Sequence, residues 1–230
     1  MVGLEILKVF YSPFKAFEEI VKKPDAKGPL LIFGLVLLAT MGAQYVNASK
    51  IFLETETPGE YACLLTRDVF SGYLIQSLTN TAFSFIVNWV MYSALLLLII
   101  RFFRVETGPW QVFFIITGYV FSVTIIYVLA NALLISTLPT LRLPLKAWNP
   151  ITDEEKKAAQ IIINQIYQEG WGPNLAYQVG IYFSYTIDLW IAGLMAIAIH
   201  FSHELPWRKA VYASVIATVI NLFLRSFILG

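Results

Sequence analysis

Two imidazoles and a carboxylate, His200, His203 and Glu204, fall within five positions of this chain. A spacing of three lets both rings share one face of a helix, as zinc ligands do. His203-Glu204 also begins an H-E-x-x-H motif, but Trp207 stands where the second histidine belongs and Pro206 interrupts the helix. The three residues are therefore weak metal candidates. We predict no metal, no cofactor and an interfacial turn.

Asp188 and Arg225 are ionisable residues within long apolar runs. From the inner ends of their runs, residues 188–202 and 208–225 rise about 21 and 25 Å at 1.5 Å per residue. The same measure places four further polar residues at about 20–22 Å: Gln44, Asn88, Thr124 and Asn221. This polar layer is either structural, with an ion pair that fixes helix register, or a path for a solute or proton. The structural interpretation is favoured.

Other catalytic patterns are missing from the sequence. There is no G-x-S-x-G, no phosphate-binding glycine loop and no second intramembrane aspartate to pair with Asp188. Cys63 is alone, which rules out an intramolecular disulfide or a thiolate cluster. We therefore expect no enzymatic activity.

The elements that position these residues are long apolar segments. Hydrophobic residues make up 58% and charged residues 13% of the chain, against about 45–50% and 25% in soluble domains. Each run is long enough to cross a bilayer. The sequence predicts an all-α integral membrane protein, a single domain over 1–230, with spans at about 29–49, 77–100, 110–138, 176–202 and 207–229.

The distribution of lysine and arginine predicts the orientation. With the N-terminus inside, the inner segments hold Lys8, Lys15, Lys22, Lys23, Lys27, Arg101, Arg104, Arg208 and Lys209. Both inner loops are short and basic, as the positive-inside rule requires. We expect a multi-pass protein of the cell membrane with a cytosolic N-terminus and an outer C-terminus.

Two segments outside the spans have helical patterns. In the cytosolic segment 1–27, the residues Leu7, Phe10, Phe14, Phe17 and Val21 recur every three or four positions. This amphipathic segment lies either in the headgroup region or against the bundle, with a corner at Ser12-Pro13. A capping box at Thr152–Glu155 predicts an outer surface helix over 150–170, with Trp148 and Trp171 at the interface.

The pattern resembles a known family, the Ypt-interacting-protein (YIP) domain family. The resemblance is carried by Pro13-Phe14-x-x-Phe17-Glu18-Glu19-Ile20, by Lys23-Pro24, by Asp188-Leu-Trp190-x-x-Gly193-Leu194 and by Lys209-Ala210. It implies five helical spans with a cytosolic N-terminus and, in eukaryotic members, vesicle trafficking with GTPase partners. The segment before the first span is shorter than in eukaryotic relatives, so the comparison favours a prokaryotic-type member.

The most favoured function is a non-enzymatic scaffold or adaptor that binds protein partners at the membrane. Its expected contacts are aromatic: Phe10, Phe14, Phe17, Trp110 and Trp207. The alternative is a small transporter, or an accessory subunit of one, that uses the Asp188/Arg225 layer. Expected partners are the lipid bilayer and a membrane protein, with a second copy of the chain as a further candidate, and no nucleic acid.

The five-span topology makes a labelling prediction. Single cysteines at Thr57 and Thr107, in a chain whose Cys63 is replaced by serine, should react with an impermeant reagent from opposite sides of the membrane. Reaction of both from the outside would show that the number of spans between them is wrong.

Overall fold

The structure, a computed structural model, describes residues 2–57, 59–103, 110–144, 147 and 152–228. The side chains at positions 2, 4, 153 and 225–228 are not described. Thr107, chosen above for labelling, and Trp148 lie outside the described residues.

Five helical segments are long and apolar enough to cross a membrane, which confirms the predicted fold class. They are α3 (Lys27–Ser49), α4 (Val69–Phe102), the pair α5 (Trp110–Val120) and α6 (Val123–Ser136), α8 (Leu175–His203) and α9 (Trp207–Ile228). Helix α4 begins at Val69, earlier than the span predicted from 77. The spans are called one to five below.

The chain forms two compact units, each described by itself. The first comprises Met1–Leu38, Asn80–Tyr127 and Tyr185–Gly230, and the second comprises Ala39–Thr79 and Val128–Ser184. Spans one to four contribute residues to both units, whereas span five belongs to the first.

The first unit begins with two short helices, α1 (Val2–Tyr11) and α2 (Pro13–Lys22), which together form the N-terminal hairpin. Ser12 occupies the N-cap position of α2 and Pro13 its first turn, as the sequence predicts. One face of the hairpin is buried through Ile6, Val9, Ala16, Phe17 and Ile20. Both helices contact α5.

Span three is broken in the middle without a proline. Helix α5 ends at Val120 and α6 begins at Val123, and Ser122 N–H donates to the Tyr119 carbonyl three residues back. The turn residues Phe121 and Ser122 are 5% and 0% exposed. Irregular backbone at membrane depth is tolerated where protein covers it. Protein covers the backbone at this turn.

The second unit contains a small mixed sheet that the sequence analysis did not predict. Strand β1 (Ile51–Glu54) pairs antiparallel with β2 (Tyr61–Cys63) and parallel with β3 (Leu141–Leu143). Its apolar side chains join a buried cluster formed by Ala48, Ile51, Leu53, Leu64 and Leu143.

Helix α7 (Asp153–Gly170) covers this cluster with Ile163, Ile166 and Tyr167. The predicted capping box is present: Glu155 N–H donates to Thr152 Oγ1 at 3.2 Å, and Thr152 N–H to the Glu155 carboxylate at 3.0 Å. Burial raises the pKa of the Tyr167 hydroxyl. Helix α7 is therefore a packed structural element of the second unit.

Trp171 does not act as the exposed interfacial anchor that the sequence suggested. It is 2% exposed, packs with Leu138 and Leu141, and donates its indole N–H to the Pro139 carbonyl at 2.8 Å. A buried indole needs such an acceptor, and the chain supplies one, so the ring stabilises the interior of the second unit.

Three spans meet closely at Gly118 in the first unit. A Cβ at this position would lie 2.6 Å from Pro29 Cβ and 2.8 Å from Trp89 Cζ2. Real Cβ atoms do not approach so closely, so only glycine allows this contact of spans one, two and three.

We expect Gly118→Ala to lower the free energy of unfolding by about 1–3 kcal/mol, because it overpacks a tight contact. The matched control is Gly34→Ala in α3, where a Cβ meets nothing within 4 Å and alanine favours the helix. Thermal unfolding in detergent measures both. Equal stability of the two variants would contradict the close approach.

Candidate functional site

The N-terminal hairpin is fixed to span three by a buried tyrosine. Tyr119 is 0% exposed, and its hydroxyl donates towards Glu5 Oε2 at 3.2 Å and the Asp25 carbonyl at 3.4 Å. A Cβ at Gly28 would overlap the Tyr119 ring, so glycine is required where α3 begins. Tyr119 thus contacts the chain at Glu5 in α1 and at Asp25, three residues after α2 ends.

One ion pair joins the two helices of the hairpin, and a second lies within α2. Lys8 of α1 donates to Glu19 of α2 at 2.5 Å, and Lys22 donates to Glu18 at 2.7 Å. The hydrogen bond to Glu19 raises the pKa of Lys8, and the bond from Lys22 lowers the pKa of Glu18. Both shifts favour the charged forms of Lys8 and Glu18 at neutral pH.

The predicted aromatic contacts divide into buried and exposed residues. Phe17 is 0% exposed and cannot meet a partner, because it packs in the buried face of the hairpin. Phe10 is half-buried and touches Trp190 edge-on, with ring centroids 6.4 Å apart. Phe14 is 51% exposed and lies 5.6 Å from Trp207, which is 41% exposed.

Trp110, the first residue of α5, is 60% exposed and packs edge-on against Phe114 at 6.2 Å. Trp110 and Trp207 begin spans three and five, and Phe14 lies on α2 in contact with Trp207. All three side chains are accessible. These three residues are called the aromatic edge below.

The histidine turn is occupied by local contacts. His200 Nδ1 donates to the Leu205 carbonyl at 2.6 Å, and its ring stacks on Trp207 at 4.1 Å. His203 Nδ1 bonds the Ser202 hydroxyl at 2.7 Å. Glu204 is exposed, with a left-handed φ of 50°. In the residues that the structure describes, no three ligand-type side chains could hold a metal ion. The turn ends α8 and leads into α9.

Within the predicted polar layer, the structure brings Asn88 and Asn221 together. Asn221 Nδ2 donates to Asn88 Oδ1 at 3.3 Å, which links spans two and five. Thr124 lies in the first turn of α6. Gln44 belongs to the second unit, where it accepts a hydrogen bond from the Tyr73 hydroxyl. Asn47 also donates to Tyr73, at 2.9 Å.

The proposed pair of Asp188 and Arg225 stays a prediction. Asp188 lies on α8 and is half-buried, whereas the side chain of Arg225 is outside the described part of the chain.

Sequence reasoning missed three hydrogen bonds between spans in the first unit. Ser93 and Thr117 join their hydroxyls at 2.6 Å, Trp89 donates its indole N–H to the Phe114 carbonyl at 2.8 Å, and Ser214 donates to the Ala192 carbonyl at 2.5 Å. Ser93, Thr117 and Ser214 are at most 4% exposed. Small hydroxyl residues within apolar runs are the signal that could have indicated them. They are bonds that connect helices.

We expect Asn88→Leu and Asn221→Leu each to lower the free energy of unfolding in detergent by about 0.6–2 kcal/mol, because each removes the partner of the other amide. Asn221 is buried and Asn88 is half-buried. The double variant should lose less than the sum, since both polar groups are then gone. A strictly additive loss would show that the two amides do not interact.

Comparison with known proteins agrees with this architecture. A family model described as the Yip1 domain matches residues 7–228, a range that includes all five spans, the whole second unit and most of the first. No curated protein and no solved structure matches the chain. The chain is a multi-pass membrane protein and belongs to the Yip1 domain family.

Proposed function

We propose that the protein is a non-enzymatic membrane scaffold or adaptor that binds a protein partner at the aromatic edge. The observation that supports the proposal is that the N-terminal hairpin is fixed on the spans while aromatic residues beside it stay exposed. Tyr119 and the buried Phe17 hold the hairpin on the spans, while Phe14, Trp110 and Trp207 stay accessible.

The aromatic edge has the chemistry of a protein contact. Tryptophan and other aromatic residues dominate the affinity of interfaces because they bury a large area at low entropic cost. Trp207 is also held in place by its stack on His200 and its contact with Phe14. A residue fixed in this way loses little freedom when a partner covers it.

The interior of the first unit favours a scaffold over a carrier. A carrier needs hydrated polar groups that face a path, whereas Ser93 and Thr117 bond each other at 4% and 0% exposure. Gly118 packs against Pro29 and Trp89 so closely that no Cβ fits between them. The imidazoles that could have taken part in catalysis bond the backbone and a neighbouring hydroxyl instead.

We expect a photo-crosslinking residue at position 110 or 207 to capture a protein partner in native membranes. Trp110→Ala combined with Trp207→Ala should weaken the binding of this partner about thirtyfold or more, which corresponds to the loss of about 2 kcal/mol typical of hot spots. The control is Tyr212→Ala, an aromatic residue of the same helix as Trp207 that is 63% exposed.

Two outcomes would overturn the scaffold proposal. One is an unchanged set of partners when both tryptophans are removed. The other is solute movement by the purified protein in liposomes that depends on Asp188, which would establish the transport alternative.

A further inference from the structure

Helix α1 is apolar on two opposite faces. Ile6 and Val9 are 4% and 0% exposed on the packed side, whereas Leu7 and Tyr11, one turn apart, are 57% and 71% exposed on the outward side. Glu5 and Lys8 lie between these two faces, and a second exposed apolar face is stabilised by protein or lipid and not by water. The outward row of Leu7 and Tyr11 therefore needs an apolar cover.

The depth of the hairpin indicates what that cover is. Tyr119 contacts Glu5 and Asp25, and residues 110–119 of α5 rise about 14 Å from the start of span three. Phe10 meets Trp190, and residues 190–203 of α8 span about 20 Å. The hairpin thus lies beside the spans of the first unit and does not hang beyond their ends. Its outward side is therefore at the level of the spans, where an apolar cover from lipid is available.

The charges of the hairpin indicate the kind of lipid. Glu18 and Glu19 are neutralised by Lys22 and Lys8. Lys15 and Lys23 are exposed and, within the described residues, form no ion pair. Exposed Arg208 and Lys209 follow Trp207, which contacts Phe14. This surface carries excess positive charge next to an apolar row, which complements anionic headgroups above acyl chains.

We propose that the N-terminal hairpin is an in-plane, lipid-binding element that selects anionic phospholipids in the leaflet at its end of the spans. Leu7 and Tyr11 contact acyl chains beside the spans, and Lys15 and Lys23 bind the headgroup phosphates. The residues tested for this proposal, Leu7, Tyr11, Lys15 and Lys23, are not members of the aromatic edge, so their substitution tests it independently of the scaffold proposal.

Spin labels on the whole protein test this proposal. Single cysteines at Leu7, Tyr11 and Glu18, in a Cys63→Ser chain, are labelled and placed in nanodiscs of phosphatidylcholine with or without phosphatidylglycerol. Collision with oxygen, which prefers lipid, is compared with collision with a water-soluble nickel complex. Leu133, a span residue that is 71% exposed, supplies the lipid reference.

We expect labels at 7 and 11 to show a several-fold higher ratio of oxygen to nickel collisions than the label at 18, and to move towards the value at 133 when phosphatidylglycerol is present. Lys15→Gln and Lys23→Gln should each weaken binding to the phosphatidylglycerol surface about fivefold, because each removes the attraction of one lysine to anionic headgroups. The change in collision ratio caused by phosphatidylglycerol should become smaller accordingly.

Three results would overturn the proposal. Labels at 7 and 11 that are as accessible to nickel as the label at 18 would place the row in water. Protection from both reagents would show a protein cover, such as a second copy of the chain. Identical depth in both lipid mixtures, unchanged by the lysine substitutions, would remove the selectivity for anionic lipid.

Discussion

A polar group inside a bilayer has no water to bond, so each span must return its hydroxyl, amide and indole groups to the protein. Three contacts between spans of the first unit follow this constraint. Ser93 bonds Thr117, Trp89 bonds the Phe114 carbonyl, and Ser214 bonds the Ala192 carbonyl. The same requirement explains why span three can break at Phe121 and Ser122, because this backbone is covered by protein. The hydrogen bonds that satisfy these polar groups therefore also fix the positions of the helices.

The need to satisfy buried polar groups also explains how the N-terminal hairpin is attached to the spans. The buried Tyr119 hydroxyl would be costly without an acceptor, and its acceptors are Glu5 and the Asp25 carbonyl, both contributed by the N-terminal segment. Gly28 is needed to let the tyrosine ring approach the chain. The hairpin is therefore part of the fold of the first unit, and the aromatic residues at its edge have positions that the spans determine.

Composition and length sufficed to predict five helical spans, and local chemistry sufficed for the Thr152–Glu155 capping box and the corner at Ser12-Pro13. The periodicity of residues 7–21 predicts that Leu7 and Phe17 share one helical face, yet Leu7 is exposed and Phe17 is buried. The prediction is wrong because the corner at Ser12-Pro13 shifts the helical phase. The three-stranded sheet depends on residues 51–53 meeting 141–143, a contact between distant segments that no local pattern specifies. The Asn88–Asn221 contact could be predicted from the sequence, because the rise along each helix places both amides at a similar depth.

Whether such an interior could support alternating access depends more on packing than on hydrogen bonds. Bonds between membrane helices contribute about 0.6 kcal/mol on average, so breaking the Ser93–Thr117 contact alone would not prevent motion. The approach of Gly118 to Pro29 and Trp89 is different in kind, because close-packed interiors do not deform continuously and a shift of span three would meet two other spans at once. A carrier has to move its spans past one another, whereas a scaffold benefits when they stay in place. The residues free to change their environment lie on the surface, in the aromatic edge and the outward row of α1, and that is where binding is expected.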